Sequence, residues 1–347
     1  MTSLPFRTRV LPLALAALLV MPPDVSLAWS DAGHRIIAQI AWQLLTPDER
    51  SVITGLIRNN PRFSEDFVPR ETLTPNTDIV AAEWEFGQAA VWSDLIRGND
   101  DFDHPTWHYI NRPVFLSEQD KAAMNGQTPA NIETELDAGT PVERYNAIQA
   151  IKHNLKILAD PEQSDSDKGE AICWIFHLVG DVHQPLHSSA MFNRGLLFEG
   201  DRGGNMIRTD SGNLHSFWDG LLGRRAQMND MRRDAFLIMS EPMHVDAATK
   251  AAGDLQPETW ITEGQELCRE YVYSPVVVEG IKRWIASGEP RCPEFVLPED
   301  YKTTAGSVAR VRAAEGGFRL AAILKEIARQ NASADSAVET EAAAAAN

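Results

Sequence analysis

Apolar residues after Trp29 recur at Ile36, Ile37, Ile40, Ala41, Leu44 and Leu45, the spacing of a helix with one buried face. T-P-D-E at Thr46–Glu49 then supplies a capping box with Pro at the first helical position, so a second helix is expected. Arg58–Asn76, rich in Pro, Asn and charge, reads as loop, and helical patterns return at Thr77–Arg97, Pro141–Leu158 and Ser166–Pro185. Between them, Gly98–Thr140 has turn residues and little periodicity apart from W-H-Y-I-N at Trp107–Asn111, and a loop of that length is expected to cover a site. A glycine-rich bend or hairpin, F-E-G-D-R-G-G-N-M-I-R, leads into N-L-H-S-F-W-D-G. Further helices are predicted at Asp230–Met239, Pro257–Val272, Val276–Ala286 and, longest, Thr304–Gln330. No internal repeat is visible. The fold class is all-α: a single multi-helix domain over residues 29–331 with at most a short β-hairpin. The Ala-rich tail, residues 332–347, has too little apolar side chain to pack and is expected to be disordered.

The first 28 residues depart from this pattern. Arg7 and Arg9 precede the apolar run Val10–Met21, and S-L-A closes the segment at Ser26–Ala28, which reads as a cleavable signal peptide. The run is shorter than the roughly 20 residues a spanning helix needs, and no later stretch exceeds it, so no membrane anchor is expected. Secretion or periplasmic export follows, with Trp29 as the new N-terminus.

Charge narrows the partners. The net charge is −17, and losing two Arg and one Asp with the signal makes it −18. Such acidity argues against a nucleic-acid partner bound through a basic surface; if the substrate is a polyanion, metal ions must supply the local positive charge. Of three cysteines, Cys268 and Cys292 are spaced for a disulfide, and Cys173, inside an apolar helix, reads as a buried thiol.

The candidate chemistry concentrates in A-I-C-W-I-F-H-L-V-G-D-V-H-Q-P-L-H-S-S, Ala171–Ser189. Residues four apart on a helix lie about 40° from one another, so His177 and Asp181 share a face and can reach one ion or two adjacent ions. His183, roughly 240° around from His177, points elsewhere, and Pro185 lets His187 swing to a new position. The ligands read from this stretch are therefore His177, Asp181 and His187. A core helix whose imidazoles are satisfied by neighbours is the alternative, weakened by the number of ligand types in so short a run. His215 and Asp219 repeat the spacing of four just after the glycine-rich bend. Asp94 in W-S-D-L-I-R and His108 in W-H-Y-I-N sit in apolar surroundings where an unpaired polar group is costly. His34 lies five residues after Trp29, whose free amine and carbonyl could chelate with it.

In this order and spacing, W-x4-H, W-S-D-x-x-R, W-H-Y-I-N, H-L-V-G-D-V-H-Q-P-L-H, G-D-R-G-G-N and N-L-H-S-F-W-D resemble the zinc-dependent single-strand-specific nucleases. These mung bean-like enzymes, also 3′-nucleotidases, share a trinuclear-zinc fold with zinc-dependent phospholipase C. The resemblance extends to A-A-E-G-G-F-R-L-A-A-I-L near the C-terminus. It implies three zinc ions: one held by Asp94, His108, His177 and Asp181, a second by Trp29, His34 and Asp181, and a third by His187, His215 and Asp219. Nitrogen and carboxylate donors suit Zn²⁺, and open positions remain for water and substrate.

The implied chemistry is hydrolysis of phosphodiesters in single-stranded DNA and RNA to 5′-phosphorylated products, and of 3′-nucleotides, with a zinc-activated hydroxide as nucleophile. Asp94 and Asp181 are then catalytic as ligands, and Arg97 faces the phosphate. Tyr109 stands where the family stacks a base. Asn111 replaces an acidic residue of the fungal enzymes that contacts the base edge, and Asn205 is a candidate phosphate contact. Trp92, Trp107, Trp174 and Trp218 read as packing around the ligands. The early-loop cysteines of the fungal enzymes are absent, and a monomer is expected. Two rival readings are a zinc-dependent phospholipase C, opposed by H-x3-D where those enzymes have H-x3-E, and a secreted zinc-binding protein without turnover, opposed by the open third site.

Overall fold

The helix Asp165–Val182 is buried on every side from Ala171 onward, as its largely apolar run there predicts, with His177 and Asp181 the polar exceptions. Ser164 caps it, accepting from the Asp167 N–H. Around it pack the helices Asp31–Leu44, Pro47–Arg58, Asp78–Ala89, Trp92–Leu95 and Ala147–Ala159, together with the last helix, Glu299–Ala345. The computed structural model describes residues 29–69, 78–136, 139–224 and 227–345. The expected signal segment, 1–28, lies outside them, and so do the side chains of the expected disordered tail beyond residue 332. The backbone of the last helix continues to Ala345.

The first helix, Asp31–Leu44, lies along the last one and buries Ala32 to Trp42. The second starts on the expected capping box: the Thr46 side chain accepts from Glu49 N–H, and Glu49 takes the Thr46 N–H at 2.8 Å. Other boundaries differ from the sequence reading. The expected loop 58–76 contains a turn of helix at Phe63–Asp66, and the expected helix 77–97 breaks after Ala89, resuming at Trp92. The helix expected from Pro141 starts at Ala147, because Asn146 takes the Ile148 and Gln149 N–H groups as a cap and leaves Val142–Arg144 as a separate 3-10 turn. Pro257–Val272 ends in a π turn at Cys268–Val272. A helix at Pro242–Ala251 was not expected; it buries only His244 and Ala248, too little apolar side chain for a readable stripe.

Two short sheets accompany the helices. The expected hairpin is Arg208–Thr209 with Gly212–Asn213. The other is a parallel pair, Arg112–Phe115 beside Ser189–Phe192, which the sequence did not suggest: four residues per strand, with Pro113 among them, give no alternation to read. Cys173, Cys268 and Cys292 are free, buried thiols, so the Cys268–Cys292 disulfide expectation is corrected. Cys268 Sγ donates to the Pro185 carbonyl at 3.1 Å, and Cys292 Sγ turns to its neighbour Pro293. Among the described residues no helix is long and apolar enough to cross a membrane.

Candidate metal centre and active site

The inner face of the central helix projects His177 and Asp181 towards three neighbouring elements. The first helix brings His34, whose Nε2 lies 3.3 Å from Asp181 Oδ1 and whose ring stacks on His177 at 4.2 Å. That approach needs Gly180, since a Cβ there would run into the His34 ring. The short helix Trp92–Leu95 brings Asp94, with Oδ1 at 3.7 Å from His177 Nε2. The loop before the parallel strand brings His108, its Nδ1 at 3.0 Å from both Asp181 Oδ2 and His177 Nε2.

The parallel strands hold the next group in register. Ile110 N–H donates to the His187 carbonyl at 2.8 Å, and His187 Nδ1–H donates back to the His108 carbonyl at 2.6 Å. His183 caps the central helix, and Pro185 starts a new turn with Gln184 as its cap, which swings His187 to this position. The hairpin delivers the helix Leu214–Asp219, capped by Asn213, whose His215 Nε2 stands 3.0 Å from His187 Nε2 and 3.5 Å from Asp219 Oδ1. Ser30 N–H donates to the Asp219 carbonyl at 3.0 Å, which seats the fully buried Trp29 beside this group.

The tautomers follow from the backbone. A carbonyl only accepts, so His177 Nδ1 donates to Ala90 O (2.8 Å), His187 Nδ1 to His108 O, and His215 Nδ1 to Gly203 O (2.6 Å). Each ring then turns its Nε2 inward, and in the neutral rings of His187 and His215 that nitrogen is bare. His187 and His215 thus point two acceptors at one another across 3.0 Å, an arrangement that calls for a cation between them. Asp181 Oδ1, Asp94 Oδ2, His34 Nε2 and His108 Nε2 are likewise buried without a hydrogen-bond partner. Donor atoms cluster within 4.8 Å in three sets: His34, Asp94 and His177; His108, His177 and Asp181; His187, His215 and Asp219. Nitrogen and carboxylate donors of this kind fit a borderline metal such as zinc.

Electrostatics reinforce the geometry. Burial pulls the His177 imidazole down, but Asp181 and Asp94 together push it up to about 9. Asp181 is held well below the carboxylate range despite burial, with His177 and His187 as its main partners. Burial lowers His187 to about 4, and burial with His187 nearby lowers His215 to about 3, so both rings stay neutral and able to ligate.

The expected substrate residues lie around this centre. Arg97 Nε donates to Asp94 Oδ1 at 2.8 Å. Tyr109 is 39% exposed, directly after His108. Asn111 is half-buried at the start of the parallel strand, and Asn205 Nδ2 is taken by the Arg202 carbonyl at 2.8 Å. His183 is not part of the centre. Gln184 was missed by sequence reasoning; its Nε2 donates to Asp219 Oδ1 at 2.8 Å, and only its place between the histidines hinted at it.

The family model described as S1/P1 Nuclease matches residues 29–329. The chain belongs to the S1/P1 nuclease family. Among its relatives, Endonuclease 2 of Arabidopsis thaliana is 24% identical, the match covering 89% of this chain and 93% of the relative. Nuclease S1 of Aspergillus oryzae is 22% identical over 93% of this chain and 99% of its own. Nuclease P1 of Penicillium citrinum is 25% identical over 55% and 57%. The protein is thus a nuclease acting on nucleic acid, and its all-α architecture is that of the S1/P1 family; the phospholipase reading is set aside.

Proposed function

We propose that this S1/P1 nuclease is a secreted, monomeric enzyme that holds three zinc ions, cleaves single-stranded DNA and RNA to 5′-phosphorylated products, and removes phosphate from 3′-nucleotides. The observation that carries the metal reading is the facing pair of bare Nε2 atoms on His187 and His215. Asp94, His108, His177 and Asp181 would hold one ion, Trp29, His34 and Asp181 a second, and His187, His215 and Asp219 a third. Bound there, zinc supplies Lewis acidity that offsets phosphate charge and makes a water acidic enough to attack near neutral pH.

The chain's own groups do the rest. Ala90, His108 and Gly203 carbonyls accept from the imidazoles and so set which ring nitrogen faces inward. Gln184 holds the Asp219 carboxylate in place. Arg97, already beside Asp94, offers charge-assisted hydrogen bonds to phosphate oxygens as negative charge builds on them. Tyr109 offers its partly exposed ring to an unpaired base, a contact worth roughly 1–3 kcal/mol, and a duplex keeps its bases turned inward.

The test is elemental analysis of the processed protein together with digestion of single- and double-stranded DNA. Three zinc ions per chain, preference for single strands, loss of activity on chelation and recovery with Zn²⁺ are expected. Zinc-loaded protein that ignores single strands would refute the substrate reading. Protein retaining residues ahead of Trp29 should bind one zinc fewer; three tight ions in that form would remove Trp29 from the ligands.

A further inference from the structure

The turn Gly200–Asn205 wraps one side of the His187–His215 group and is anchored on both flanks. Asp201 is fully buried, its carboxylate accepting from the Met191 N–H at 3.0 Å and the Tyr273 hydroxyl at 2.8 Å. Gly203 carries the carbonyl that orients His215, and it lies so close that a Cβ there would stand 2.6 Å from the Leu186 carbonyl oxygen. Between the anchors stands Arg202 with φ 57°, a left-handed conformation that costs free energy for any residue with a long side chain and that glycine adopts freely. Asn205 fixes it there, bonding the Arg202 carbonyl through both N (3.3 Å) and Nδ2 (2.8 Å).

The backbone is thus held firmly while the side chain is exposed, and among the described residues the Arg202 guanidinium has no ion-pair or hydrogen-bond partner. Its charge reaches the Tyr109 hydroxyl, where it opposes the upward push of burial. A cation without a partner among the described residues therefore extends from the turn that orients His215 and acts on the neighbouring Tyr109 hydroxyl, in a chain of net charge −17.

We propose that Arg202 binds a second phosphate of the substrate: the 5′-phosphate of the nucleotide whose base lies on Tyr109 and whose 3′-phosphate enters the metal centre. This rests on the nuclease reading above. A guanidinium meets a phosphate through two parallel N–H···O bonds, and its planar fork does this better than an ammonium. Every internal nucleotide of a strand carries that 5′-phosphate, as does a nucleoside 3′,5′-bisphosphate; a nucleoside 3′-phosphate does not. Arg202 is in this sense a specificity-determining residue, favouring strands over mononucleotides.

The experiment compares kcat/KM for a nucleoside 3′,5′-bisphosphate and the matching 3′-phosphate in zinc-loaded wild type, Arg202→Gly and Arg202→Lys. Glycine suits the left-handed backbone, so thermal unfolding of Arg202→Gly should match or exceed wild type and exclude a folding defect. Wild type is expected to favour the bisphosphate about tenfold, Arg202→Gly to bring the ratio close to one through a higher KM for the bisphosphate, and Arg202→Lys to fall between. A ratio unchanged in Arg202→Gly overturns the assignment, whether both substrates lose together or neither changes. Wild-type protein that turns over neither substrate would instead overturn the nuclease reading itself.

Discussion

His177 and His183 leave the same helix, are both fully buried, and end in opposite situations. His183 spends Nδ1 on the Val179 carbonyl at 2.7 Å, and its Nε2 accepts from Arg319 Nη1 at 3.0 Å. Behind it Arg319 pairs with Glu263 at 2.7 Å, and Arg312 pairs with Glu263 at 2.8 Å and Glu315 at 2.6 Å. Two cations face two anions, and Arg312 Nε reaches back to the His183 carbonyl at 3.3 Å. Burial and the two arginines hold the His183 imidazole neutral, well below its ordinary range. On the other side of the helix, His177 faces acceptors that converge and buried oxygens that nothing in the chain satisfies. A buried polar cluster whose donors match its acceptors is structural; one whose lone pairs point at a common centre asks for a cation.

The sharpest way to break this contrast is to exchange the treatment of the two sides. His187→Asn removes a bare Nε2 and should lower nuclease activity by about a thousandfold or more and, on the three-zinc reading proposed above, cost one zinc per chain, since groups that act as a unit fail together. His183→Asn should keep the full zinc count and activity within a few fold, while losing about 1–3 kcal/mol of stability because Arg319 loses a buried acceptor. Elemental analysis, single-strand digestion and urea unfolding on both variants decide the matter. A zinc lost from His183→Asn would mean the two clusters are not separate.

Next in size is the closed cluster itself. Glu263→Gln leaves Arg319, 1% exposed, without its carboxylate, and a buried pair broken on one side costs about 3–5 kcal/mol; the partial exposure of Glu263 brings the expectation to about 2–3 kcal/mol. Activity at saturating substrate should be unchanged. The loss should also persist when a chelator has removed any bound metal, because the two clusters share no side chain. A loss that vanished on chelation would show that they are coupled.

The two sides were unequally legible in the sequence. His177 with Asp181 and His215 with Asp219 sit four apart on helices, so local spacing alone displayed them as candidate ligand pairs. Nothing local could show what satisfies His183, since Arg312 and Arg319 arrive from 129 and 136 residues away. The helices were legible where a stripe of large apolar residues faces the core, as in Asp31–Leu44, and Pro242–Ala251 escaped because alanine carries that contact. The parallel strands that align His108 with His187 were invisible for a different reason: pairing of two four-residue segments far apart in the chain is a tertiary event. The thiols of Cys268 and Cys292 make the same point, as spacing permits a disulfide but only geometry forms one.

The smallest expected effect is a pH dependence confined to the closed cluster. Burial would raise the Glu263 carboxyl from its ordinary 4.5, but Arg319 and Arg312 hold it at about 2. The folded-state value is depressed, so the stability this group contributes is fully present above about 4.5 and lost as pH falls towards about 2. Solvent reaches about a third of the side chain and screens the interaction, which limits this contribution to about 1–2 kcal/mol. Urea unfolding of wild type and Glu263→Gln should therefore differ by a constant amount from pH 7 down to about 5, and the gap should narrow by pH 3. Both proteins must carry chelator throughout, because acid also protonates the candidate metal ligands and would release any bound metal. Under those conditions the ligand cluster titrates alike in both and cancels. A gap that stayed constant to pH 3 would show that Glu263 is not the carboxylate that neutralises Arg319, and the closure of that side of the helix would have to come from Glu315 instead.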